Sequence, residues 1–266
     1  MKCSFQNVFL KVAFLLSMSI VLIGCVSSSI IPNQDTLRSI KTIEVVAIEP
    51  PPITIAGESA KYISGFVPAG GYGSGSGALL VIFGIVMLAN PPSGIDNLLP
   101  IASEYQNILS AEGTWVPTVE LAKYAMDVLR KNGMRKVELK KGYETLPGVK
   151  NRAATVFMEN WYAPIRSWYN ANSSIINNKY IDNVPEIYLE IGICNYELIN
   201  DQLLLQVMVK VIDSKTNMVV GKTRNWELVK YDQVDNLLME NGKKFKDFIY
   251  ASGVRLIEKS IKELNL

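Results

Sequence analysis

Apolar and polar positions along this chain change period several times, and each change marks an element. The β-branched run Ile43 to Ile48 ends at three prolines, 50 to 52, which cannot continue a ladder, so it reads as a strand buried on both faces. From Thr114 the period becomes helical. Leu121, Tyr124, Ala125, Val128 and Leu129 recur at steps of three and four, with Pro117 suited to a first turn and Asn132-Gly133 to a stop. The next stretch, MRKVELKK, sets Met134, Val137 and Leu139 among charges and predicts a short strand with one solvated face. Strand, helix and strand in that order make a β-α-β unit.

A second helical stripe follows, carrying Ala154, Phe157, Trp161, Ile165 and Trp168, with Pro164 kinking or restarting it. Trp161, Tyr162, Trp168 and Tyr169 raise the idea of a platform for stacking sugars or peptides, but aromatic residues at helical spacing more often pack a core. The clearest sheet signal begins at Ile187. Ile187, Leu189, Ile191 and Ile193 alternate with Tyr188, Glu190, Gly192 and Cys194, so one row faces the core and Cys194, a half-buried thiol, lies on the other. Turns at Asn200-Asp201 and over DSKTN return the chain twice, through Leu203 to Val211 and through MVVGKTRNW. A last helix, from about Asp235 to Leu264, carries Phe245, Ile249, Gly253, Leu256, Ile257, Ile261 and Leu264 on one stripe, with Gly242 and Gly253 as points of bending or division. The predicted class is α/β (α+β): a mixed sheet with a C-terminal three-strand antiparallel meander and helices packed on it. No internal repeat is visible.

Two stretches fall outside this pattern. At the amino end a basic Lys2 and Lys11 precede the apolar run VAFLLSMSIVLI, residues 12 to 23, and no acidic residue occurs before Asp35. As a helix that run would be about 18 Å long against roughly 30 Å of hydrocarbon, which suits a cleaved secretory signal better than a permanent span. Residues 26 to 40 are small and polar and read as a tether. The second stretch, 62 to 95, has no charged side chain over 34 residues, with glycines at 71, 73, 75 and 77 and then the apolar run 78 to 89. A phosphate-cradling loop is the weakest reading, because no lysine follows the glycines. A helix buried in the core and a segment that meets lipid or its own copies remain as alternatives. Under the second, Leu79, Leu80, Val81, Ile82, Phe83, Ile85 and Val86 would make the membrane or oligomer contact. Twelve apolar residues are too few for a helical span. The expected organisation is a signal at 1–24, a tether at 25–40, and one domain at 41–266 with its insertion at 62–95.

Composition narrows the chemistry. Without Lys2 and Lys11 the chain holds 25 basic and 25 acidic residues, so no basic excess points to nucleic acid. Histidine is absent, which removes the commonest general base and zinc ligand, and no nucleotide, metal or other cofactor site is expected. Cys3 leaves with the signal. No nucleophile, base and oxyanion donors form a recognisable set, so the expectation is a protein that is not an enzyme.

Leu22, Ile23, Gly24 and Cys25, in that order behind the apolar run, resemble the lipobox of bacterial lipoproteins. The resemblance implies cleavage before Cys25, recognition through Leu22, Ile23 and Gly24, and a diacylglyceryl thioether on Cys25, often with a further acyl chain. Two or three chains hold a protein on a bilayer for practical purposes. Val26 and Ser27 in place of an aspartate imply the periplasmic face of the outer membrane, if the cell has two membranes. The element order behind a lipobox is also similar to the envelope domains of the curli-secretion channel family and the amino-terminal domain of TolB. That similarity implies envelope protein partners or a homo-oligomer. The expected function is a lipid-anchored, non-catalytic envelope protein that binds or assembles with other envelope components. The alternative is a membrane-inserting oligomeric subunit of a transport or secretion assembly.

Overall fold

The computed structural model describes residues 29–33, 40–51, 54–55, 115–134, 136–149, 159–176, 184–199, 202–230 and 234–266. The strands are β1 Thr42–Ile48, β2 Thr54–Ile55, β3 Lys136–Glu144, β4 Ile187–Ile199, β5 Gln202–Asp213 and β6 Met218–Lys230. The helices are α1 Pro117–Lys131, α2 Glu159–Asn170 and α3 Val234–Glu263. The order across the sheet is β3-β1-β4-β5-β6, with β2 also paired to β4. β1 runs parallel to β3 and β4, and β4, β5 and β6 form an antiparallel meander. This is the mixed sheet that the pattern predicts.

Each face of the sheet has its own helical cover. On one face Ile43, Val45, Ile187, Leu189, Leu205 and Val207 join Leu121, Ala125 and Leu129 of α1 and Phe245, Ile249 and Ile257 of α3 in one core. On the other, Glu190, Gly192 and Cys194 lie under α2, whose Trp161, Ile165 and Trp168 are buried. A register shift between Ile193 and Asn195 changes the alternation near the end of β4. Beyond it Tyr196 belongs to the α3 side, with its ring edge-on to Phe245 at 5.9 Å. Such a bulge re-aims every side chain beyond it.

The helix ends follow local chemistry. Pro117 opens α1, where its missing N–H has no partner to lose. Gly133 closes it at φ 92, with its N–H on Arg130 O and that of Met134 on Leu129 O. Arg130 then donates through Nε and Nη2 to Val137 O, at 3.1 and 2.7 Å, tying the helix end to β3. Positive φ at Glu240 and Gly242 interrupts the first turns of α3, as the sequence anticipates for Gly242. Gly253 acts differently, because a Cβ there would lie 2.4 Å from Leu121 Cδ2: the glycine lets α3 approach α1 instead of bending it.

Four details depart from the sequence reading. The prolines end β1, but β2 resumes beside β4 two residues after Pro52. β3 continues to Glu144, and Cys194 is fully buried because both faces of β4 are covered. Trp161, Tyr162, Trp168 and Tyr169, by contrast, follow the favoured core reading, since all four are buried and leave no aromatic platform on α2. The tether is in part built into the domain, since Ile30 bridges to Lys222 and Pro32 is buried.

Candidate functional site

Cys25, Leu22, Ile23 and Gly24 lie outside the described residues, as do Leu79, Leu80, Val81, Ile82, Phe83, Ile85 and Val86. Among the described residues no helix is long and apolar enough to cross a membrane, and no group of His, Cys, Asp or Glu is placed to hold a metal.

The most concentrated chemistry is an ion pair that the sequence reading passed over. Glu190 on β4 and Lys210 on β5 are cross-strand partners, and both are completely buried beneath the end of α2. Lys210 Nζ lies 3.5 Å from Glu190 Oε2 and donates to Trp168 O at 3.0 Å and Ser173 O at 2.8 Å. Glu190 Oε2 accepts from Trp168 Nε1 at 2.7 Å, while Oε1 accepts from Ser174 Oγ at 2.6 Å and Ile175 N at 2.8 Å. Burial pushes the Lys210 ammonium below its usual pKa, and the charge and hydrogen bond of Glu190 oppose that. With the acceptors and donors of the pair turned on protein groups and no exposure to solvent, the arrangement pins the end of α2 to the sheet and offers no route for a substrate. A signal for it does exist in the sequence. Glu190 and Lys210 each stand between apolar neighbours in strands rich in apolar residues, and a sheet covered on both faces has to bury that row.

Other polar contacts also fasten elements together. Asn225 Nδ2 and Thr223 Oγ1 of β6 donate to Glu263 Oε2 at 2.8 and 2.5 Å, and Asn225 reaches Ser260 Oγ at 3.1 Å, which ties α3 to the sheet. Tyr124 donates to the Glu258 carboxylate across α1 and α3, which pushes its phenol up to about 12. Between β1 and the edge strand β3, Glu44 faces Glu138, and burial is the main cause that raises the Glu44 carboxyl. Lys140 opposes that shift and pairs with Glu144 at 3.4 Å, while Lys136 lies 3.5 Å from Glu138. The result is a charge ladder between the edge strand β3 and its neighbour β1.

Glu186 gives a testable pH dependence. Its Oε2 accepts from the Lys41 and Thr42 amides at 2.5 and 3.3 Å, and the Lys41 bond is the main reason its carboxyl sits below the ordinary 4.5. A carboxyl lowered by folding stabilises the domain above the unfolded pKa and loses that contribution as pH falls through the folded one. Glu186→Gln should therefore flatten the loss of stability below about pH 4.5, read by urea midpoints across an acid series. Parallel slopes for variant and wild type would contradict it.

No protein family matches this sequence, and no curated protein does. Solved structures that are weakly similar include the PelC dodecamer from Paraburkholderia phytofirmans, at 10% identity and a TM-score of 0.33 over 84% of this chain and 88% of that one. Protein CT253 from Chlamydia trachomatis is similar at 10% identity and a TM-score of 0.29, covering 84% of this chain and 95% of that chain. Lipoprotein GNA1162 from Neisseria meningitidis is similar at 12% identity and a TM-score of 0.20, covering 82% and 99%. Likeness at this level carries no statement about function.

Proposed function

We propose that the chain is a lipid-anchored envelope protein that binds or assembles with other envelope components and catalyses no reaction. The single observation behind this is Leu22-Ile23-Gly24-Cys25 at the end of the apolar run. A diacylglyceryl group on Cys25 would hold the domain at a bilayer, and the absence of an aspartate at 26 and 27 favours the periplasmic face of an outer membrane. The folded domain is compatible with a binding role, since its most concentrated ionisable pair is sealed and its other polar contacts fasten elements to one another.

The test is the mass of the native amino terminus. The expected result is a mature chain beginning at an acylated Cys25, with Cys25→Ser leaving the signal uncut. An unmodified Cys25 in protein taken from its own membranes would sink the proposal.

A second reading, an oligomeric subunit that inserts in the membrane, is favoured by the charge-free stretch at 62 to 95, which enters the sequence between β2 and α1. Under it, deletion of 78 to 89 abolishes liposome insertion or oligomers of the mature chain. Unchanged behaviour removes this reading.

A further inference from the structure

The outer side of β3 can be read from two sets of hydrogen bonds. Among the described residues this strand pairs with β1 alone. Glu49 N, just past β1, donates to Glu144 O at 2.8 Å, so the odd-numbered residues of β1 turn their main-chain groups toward β3. In that parallel register Lys136 and Glu138, partners of Thr42 and Glu44, are the β3 residues that bond to β1. Val137 and Leu139 therefore turn their amide and carbonyl groups to the open edge. Arg130 agrees with this, because its guanidinium reaches Val137 O from α1 and caps that one carbonyl. Leu139, next in the row, has no such cap among the described residues.

The side chains of β3 alternate in sign. Val137 and Leu139 pack toward α1, whereas Lys136, Glu138 and Lys140 share the other face beside Glu44, with Glu138 exposed and Lys140 half-buried. A second copy laid antiparallel against this edge has a two-fold axis, and the residue on the axis sets which charges meet. An axis at Glu138 or at Lys140 puts a like charge opposite itself, and an axis at Val137 meets the carbonyl that Arg130 holds. An axis at Leu139 puts Glu138 opposite Lys140 of the second copy, twice over, and lets the two Leu139 residues exchange main-chain bonds. Opposite charges directly across an antiparallel pair attract and like charges repel, so the ladder favours this register over its neighbours. A run of one sign would have kept every copy away.

We propose that β3 is the docking edge for a second copy of this chain, the two strands pairing antiparallel about Leu139 so that one sheet runs through both molecules. The proposal goes beyond the envelope role above and needs no lipid on Cys25.

The test is the association of residues 25–266 bearing Cys25→Ser, followed by sedimentation equilibrium over a wide concentration range. The expected result is a dimer in which Glu138→Lys or Lys140→Glu, each turning two opposite pairs into like ones, weakens association roughly tenfold or more. Glu138→Lys together with Lys140→Glu should restore it. A second measurement leaves the charges alone: Leu139→Cys should oxidise to a disulfide dimer, since the Cα atoms of a hydrogen-bonded pair stand about 5.5 Å apart. Tyr143→Cys, exposed but off the axis, should not. A chain that stays monomeric, a dimer indifferent to both single reversals, no recovery in the double variant, or equal cross-linking at the two cysteines overturns the proposal.

Discussion

Lys210→Met alone should destabilise the domain by about 3–5 kcal/mol, because it strands the Glu190 carboxylate in a site with no solvent. The same change also takes a donor from Trp168 O and Ser173 O at the end of α2. The double variant Glu190→Gln with Lys210→Met removes both charges, yet leaves an amide oxygen to accept from Trp168 Nε1 or Ile175 N. It should recover more than half of the loss, since replacing both members of a buried pair is often close to neutral. Urea unfolding of residues 25–266 bearing Cys25→Ser measures both. A single variant as stable as wild type would mean that the pair does not hold α2 down, and a double variant worse than the single would mean that charge is not the issue.

The second large effect is expected at Gly192. A Cβ at this position of β4 would stand 2.8 Å from Trp168 Cζ3 and 2.9 Å from Cη2. The indole cannot step aside freely, because its Nε1 is bonded to the buried Glu190 carboxylate. Gly192→Val should therefore cost about 3 kcal/mol, from overpacking together with a weakened hydrogen bond to a charged group, against a smaller gain in strand propensity. Trp168→Leu has its own cost but opens the space, so the two changes together should be less damaging than their sum. Strict additivity in a double-mutant cycle would show that the side chains do not meet. The near-ultraviolet dichroism of Trp168 offers a second measurement: it should change in Gly192→Val even where the domain still folds.

How much of this was legible in the sequence depended on whether local period carried the information. The meander, α1 with its Asn132-Gly133 stop and the stripe of α3 are all written in local spacing, and the structure shows each of them. What escaped was set by tertiary cover. The row holding Glu190, Gly192 and Cys194 looks like the wetter side of a half-covered sheet until α2 is known to lie over it. Cys194 then becomes fully buried, Glu190 needs Lys210, and Gly192 makes room for Trp168. β2 is only two residues long, too short for any period to register. The bridge from Ile30 to Lys222 joins positions far apart in sequence, so the stretch reads as tether from composition alone. The lipobox-like run is the opposite case, read from four consecutive residues that lie outside the described ones.

The interior position of β1, between β3 and β4, bears on how such a polypeptide would reach the proposed destination. Ile43 pairs with Ile187, so one neighbour of the first strand is missing until 144 further residues have arrived. Its other neighbour, β3, pairs earlier in the chain, but closing the longer loop to β4 carries a larger entropy cost and slows completion of the sheet. On the proposed route, threaded through a translocation channel amino end first, the chain would cross with this strand still waiting for one neighbour, which would keep it pliable in transit and postpone its final shape until most of it had emerged.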